Sequence, residues 1–196
     1  FLAIQKLNND GVSWIDVAVD GNWETKFEWS RPHELEGESF DFQHIRRTNR
    51  VGFKAGALDY GLTISKGEFV AIFDADFIPD PDFLTHTIPY FQNPQIGLVQ
   101  TRWTYINEDD SMLTKAQALM LNTHFSIEQL GRINANGFIN FNGTAGIWRR
   151  ACIDKAGGWQ ADTLTEDLDL SFRAQMQGWQ FKYLFNVGSP SELPMT

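Results

Sequence analysis

The 196 residues carry a formal charge of −9, 42% hydrophobic residues, sixteen Phe and seven Trp, which allows one substantial domain over 1–196 with its own core. The acidic balance sets nucleic acid aside as a partner, because counterion release needs a basic surface. The single Cys152 excludes an intramolecular disulfide or a multi-cysteine zinc site and fits a reducing compartment.

In chain order, "FLAIQKLNNDG" (1–11) reads as part of a helix. The chain starts without Met and stops at "SELPMT", so it reads as a piece of something longer. "WIDVAVDG" (14–21), "FDFQHIRR" (40–47), "EFVAIFDAD" (68–76) and "IGLVQTRW" (96–103) read as strands. "NWETKFEWSRPHELEGESF" (22–40) reads as helix plus loop, and 53–65 and 81–92 as helices. Residues 110–131 place Leu113, Ala116, Met120, Ile127 and Leu130 close to one face of a long helix that Gly131 can stop. Residues 164–179 form another, with Thr165 as N-cap and Gly178 as terminator. Short apolar runs alternating with amphipathic segments give an α/β sheet. No stretch approaches the roughly 18 consecutive apolar residues that span a bilayer, and no secretory leader opens the chain, so the chain as given reads as soluble.

Four segments carry residues suited to chemistry. Ligands of open α/β sheets collect beyond the carboxyl ends of strands, where Asp74 and Asp76 close the run "FVAIF". Alternate residues of an extended chain point the same way, so both carboxylates can converge on one cation while Ala75 turns away. Hard oxygen ligands favour Mg²⁺ or Mn²⁺, and such an ion takes its remaining ligands from water or substrate phosphates. An acidic turn explains the pair as well.

"HIRRTNRVGFKAGAL" (44–58) gathers Arg46, Arg47, Arg50 and Lys54 where a strand passes into a helix. A solvated basic face is the plain reading; a phosphate contact at a helix start, with Lys54 as a point charge, is the functional one. In "TLTEDLDL" (163–170), Glu166 and Asp167 are either first-turn dipole partners or a general base. Glycines in "INFNGTAGIWRR" (139–150) mark a tight turn or a place where a ligand nears the backbone. Histidines 33, 44, 86 and 124 show no metal-binding spacing.

These segments, in this order, resemble the family 2 glycosyltransferases. Within that family they are similar to the processive cellulose synthase-like branch that includes β-mannan and β-glucan synthase-like enzymes. The resemblance covers roughly residues 40 to 194. It implies the GT-A fold, a Rossmann-like mixed sheet flanked by helices and here truncated at both ends. The implied activity is inverting transfer of a hexose from a nucleotide-diphosphate sugar, UDP-glucose or GDP-mannose, to a glycan hydroxyl. Asp74 and Asp76 would hold Mg²⁺ or Mn²⁺, and Asp74, Lys54 and Asp20 would bind the nucleotide sugar. Asp167 would be the base, with Gly143, Thr144 and Glu166 lining the sugar and acceptor site. The full-length protein would sit at the cytoplasmic face of a membrane through segments absent from this chain.

The family's first strand and proline-containing loop have no counterpart here, and its Q-x-x-R-W motif is missing, since "QMQGW" (175–179) places Gly178 where the arginine belongs. A haloacid-dehalogenase-like phosphohydrolase also ends a strand in D-x-D, although Phe77 and Ile78 replace the small and hydroxyl residues that usually follow. A nucleotide-sugar-binding fragment without turnover is the remaining alternative.

Overall fold

A computed structural model of the chain describes the backbone of residues 2–8, 11–18, 41–163 and 165–195, and the side chains of 45, 47–163 and 165–195. Among these residues seven strands form one mixed sheet. They are β1 (Leu2–Asn8), β2 (Gly11–Ala18), β3 (Asp41–Arg46), β4 (Phe69–Asp74), β5 (Ile96–Tyr105), β6 (Gly146–Arg149) and β7 (Gln180–Ser191). Their order across the sheet is β3-β2-β1-β4-β6-β5-β7. Strand β6 runs antiparallel to both β4 and β5, while β5 and β7 are parallel. The helices are α1 (Phe53–Ile64), α2 (Phe83–Thr87), α3 (Met112–Thr123), α4 (Gln129–Asn134), α5 (Arg150–Lys155) and α6 (Glu166–Met176).

Residues 2–8 are a strand, not the start of a helix: β1 pairs antiparallel with β2 and with β4. The backbone hydrogen bonds to two neighbours outweigh a local pattern that is weak in any seven-residue window. The expected element at 22–40 and Asp20 lie outside the described residues. The predicted helix 81–92 is α2 followed by a 3₁₀ turn at Ile88–Gln92, with Pro89 in the first 3₁₀ turn. The predicted long helix passes Gly131 without stopping. It runs from Met112 to Asn134 with one π turn, His124–Glu128, inside it. Ser111 caps its start in a reciprocal pair with Thr114.

Strand alternation divides the core. Val70, Ile72, Leu98 and Trp148 face one side and pack with Leu58, Phe141, Ile153, Leu170 and Ala174 from the helices and loop there. Ala71, Phe73, Val99 and Ile147 face the other, with Phe83, Phe91 and Leu184. One layer therefore locks α1, α5 and α6 to the same side of the sheet, which aims the starts of α1 and α6 at the end of β4.

Arg150 closes the far end of α1. Its guanidinium donates to the carbonyls of Leu62, Ser65 and Gly67 at 3.1, 2.9 and 2.7 Å, and satisfies groups a helix C-terminus leaves open. Arg150→Ala strands these carbonyls and should cost about 3 kcal/mol, measurable as a lower urea midpoint. Cys152 is fully buried against Gly97, and burial pushes its thiol up to about 12. Reaction requires the thiolate, so a thiol reagent at neutral pH should label Cys152 only after denaturation.

Candidate active site

Strand β4 ends at Asp74, and Ala75 and Asp76 form a turn closed by a bond from Phe77 N to Asp74 O at 3.0 Å. The two carboxylates are thus related by a turn, and the period-two argument does not place them. The turn is pinned from the other side as Ile78 N donates to Pro190 O at 2.9 Å and Phe77 bridges to Ser191. Asp76 is exposed, yet desolvation by its surroundings raises its carboxyl above the usual range. A local backbone bond opposes this, the charges of Asp74 and Glu192 add to it, and Lys54 pulls the other way. A divalent cation would relieve that like-charge crowding.

Lys54, in the first turn of α1, donates to Asp74 Oδ1 at 2.7 Å, with both side chains about a third exposed. The turn that delivers it is built by Gly52, whose φ of +73° is left-handed. Arg47, buried, fixes the turn by donating to the carbonyls of Val51 and Phe53, both at 2.9 Å. Among the described side chains of the basic cluster, Arg47 is thereby a structural staple, Arg50 is exposed, and Lys54 enters the site.

The loop before β6 supplies the opposite wall. Thr144, buried, accepts from the Asp74 backbone N–H through Oγ1 at 2.8 Å, so its hydroxyl ties the loop to the end of β4. Gly143 sits at φ +80°. A β-carbon added there would lie 3.2 Å from Asp167 Oδ2 and 3.3 Å from Lys54 Nζ. Around this one buried glycine the structure brings together Lys54, Asp74, Thr144 and Asp167, taken from α1, β4, the loop and α6.

Asp167 lies in the first turn of α6 with Glu166 and Asp169, where the helix dipole favours negative charge. Thr165 occupies the N-cap position without a side-chain bond. Asp167 Oδ1 accepts from Leu168 N at 2.8 Å, which fixes the carboxylate and leaves Oδ2 toward Gly143. Glu166 is half-buried beside it.

Residues that motif reading passed over hold this arrangement. Ser171 Oγ accepts from Phe141 N at 2.9 Å and donates to Asp167 O at 2.6 Å. Gln175 brackets Ile139, accepting from its N–H at 3.1 Å and donating to its carbonyl at 2.7 Å. Gln100, fully buried in β5, accepts from Asn142 N at 3.2 Å and donates to the carbonyls of Thr144 and Ala145 at 3.2 and 3.0 Å. Their signal was legible: Asp167, Ser171 and Gln175 repeat at four-residue spacing on the buried face of a helix, and Gln100 interrupts an apolar strand.

The residues present fit a divalent cation held with a phosphate. Among the described residues no three His, Cys, Asp or Glu side chains group to enclose an ion. An ion at Asp74 and Asp76 would complete its shell from substrate oxygens and water, the usual habit of Mg²⁺.

Residues 36–187 match the family model described as "Glycosyltransferase like family 2". The chain is 51% identical over 154 residues to glucomannan 4-beta-mannosyltransferase 2 of Arabidopsis thaliana, covering 76% of this chain and 29% of that protein. It is 50% identical over 158 residues to glucomannan 4-beta-mannosyltransferase 1 of Cyamopsis tetragonoloba, covering 79% and 30%. The chain thus spans under a third of these relatives' length. Among solved structures it is similar to the mannosyltransferase PcManGT of Pyrobaculum calidifontis, in complex with GDP-Man and Mn²⁺. That likeness has a TM-score of 0.59 at 21% identity, over 80% of this chain and 41% of the other. S. aureus TarS 1-349 aligns with a TM-score of 0.54 at 11% identity, over 78% and 44%.

Proposed function

The chain belongs to the family 2 glycosyltransferases and has the GT-A fold, and from that premise we propose that it is the catalytic part of an inverting, metal-dependent hexosyltransferase. The donor is a nucleoside-diphosphate sugar, with GDP-mannose preferred over UDP-glucose because the similar proteins are mannosyltransferases, one with GDP-Man bound. The acceptor is a glycan hydroxyl. The observation that carries the reading is the convergence of Lys54 Nζ and Asp167 Oδ2 on Gly143, with Asp74 bonded to Lys54.

In the transfer, the acceptor oxygen forms a bond to the anomeric carbon as the bond from that carbon to the diphosphate breaks. Asp167 takes the proton of the incoming hydroxyl. Lys54 meets the charge that develops on the departing diphosphate. Asp74 positions Lys54 and, with Asp76, would hold Mg²⁺ or Mn²⁺ on the diphosphate oxygens. When bound, the ion neutralises leaving-group charge. Gly143 keeps the space between cation and base open, and Glu166 borders the acceptor side. A base on one side of the sugar and a leaving group on the other is the geometry of single displacement with inversion.

The phosphohydrolase alternative is not favoured, because the matching family and the relatives are transferases. By the family reading, the full-length protein reaches the cytoplasmic face of a membrane through segments outside these residues. Among the described residues no helix is long and apolar enough to cross one.

The test is incubation with GDP-mannose, Mn²⁺ and a manno-oligosaccharide. The expected result is release of GDP together with a longer oligosaccharide. Hydrolysis of simple phosphomonoesters, indifferent to sugar nucleotides and lost in Asp74→Asn, would sink the transferase reading.

A further inference from the structure

His124 opens the π turn within the long helix, His124–Glu128, and meets the loop that carries Gly143. π turns inside α-helices gather at functional sites. His124 Nε2 lies 3.1 Å from Asn142 Oδ1, which also accepts from Asn140 Nδ2 at 2.9 Å. The Asn142 backbone N–H is held by Gln100 Oε1. Asn142 is therefore fixed at three points, and the next residue is the glycine facing Asp167 and Lys54. The Asn142 Nδ2 is buried and has no partner among the described residues, a costly state that calls for an explanation.

The other imidazole nitrogen, Nδ1, lies 2.7 Å from Glu128 Oε2, and Arg132 Nη2 reaches Glu128 Oε1 at 2.5 Å. Bonds from His124 and then Arg132 hold the Glu128 carboxyl below its usual range, so an ionised carboxylate faces Nδ1 and keeps a proton there. The other nitrogen, Nε2, faces the Asn142 carboxamide, so the imidazole spans from Glu128 on the helix to the loop. Among the described residues His124 meets Glu128 on its own helix, the Phe125 ring edge and Asn142 of the loop.

We propose that His124 is a positioning residue of the transfer site: through Asn142 it sets the placement of Gly143 between Asp167 and Lys54, and so the fit of the donor sugar. This rests on the transfer reading above. The experiment compares affinity for GDP-mannose with that for GDP in Mn²⁺, and kcat/KM, for wild type and three variants. In wild type GDP-mannose should bind more tightly than GDP. His124→Phe keeps the ring's bulk without its nitrogens; it should lose roughly tenfold or more in kcat/KM and the sugar-dependent gain, while its affinity for GDP stays within about twofold. His124→Gln, which retains an amide, should recover part of the loss. Asn142→Leu, which removes the carboxamide that His124 meets, should match the His124→Phe loss. A His124→Phe or Asn142→Leu protein with wild-type kcat/KM and an unchanged sugar-dependent gain, or a His124→Gln protein no better than His124→Phe, overturns the proposal while leaving the transfer reading intact. A wild type that binds neither GDP-mannose nor GDP overturns both.

Discussion

Asp167→Asn should lower kcat by about a thousandfold while leaving the Kd for GDP in Mn²⁺ within about twofold. The substitution keeps the Oδ1 that accepts from Leu168 N and keeps the backbone carbonyl that binds Ser171, so the start of α6 is undisturbed. What it removes is the basic oxygen facing Gly143, and an amide cannot take a proton from an attacking hydroxyl. Single-turnover transfer rates and calorimetric titration separate the two quantities. Loss of nucleotide affinity in parallel with kcat would move Asp167 from proton transfer to donor binding.

Gly143→Val should have the second large effect, reducing kcat/KM on the order of a hundredfold. Two physical causes act together. The φ of +80° is one a branched side chain adopts at a cost of about 1–2 kcal/mol. The new carbons would also enter between Asp167 Oδ2 and Lys54 Nζ, at 3.2 and 3.3 Å from the first of them. One of the two charged groups must then withdraw. Comparison with Gly178→Val is the control: that glycine shares a positive φ of 90° but faces open space, so strain alone should lower its melting temperature without the catalytic loss. Equal kcat/KM in the two variants would show that backbone strain, and not the contact with Asp167 and Lys54, explains the effect.

How much of this was legible in the sequence follows from where the determinants lie. Strand β4 and helix α1 follow from local apolar spacing, and their bounds fell within a residue or two of expectation. The candidate ligands Asp74 and Asp76 were visible because a strand end beside prolines exposes carboxylates. Their arrangement was not, since the strand stops at Asp74 and a hydrogen-bonded turn takes over. Strand β1 was misread as helix because its partners, β2 and β4, are set by pairing across the chain. The basic cluster looked uniform in sequence, and only tertiary contacts separate Arg47, spent on two carbonyls, from Lys54, bonded to Asp74. The same holds for His124. No motif marks it, and its contact with Asn142 joins the first residue of the π turn to a loop eighteen residues later.

The central claim is that Lys54, Asp74 and Asp76 cradle a metal-bound diphosphate, and the direct measurement is calorimetric titration of GDP into the protein with and without Mn²⁺. Wild type and Asp167→Asn should show saturable binding that requires the metal, and Asp74→Asn should show none at the same concentrations. Binding of equal strength in Asp74→Asn, or binding indifferent to the metal, would contradict the account.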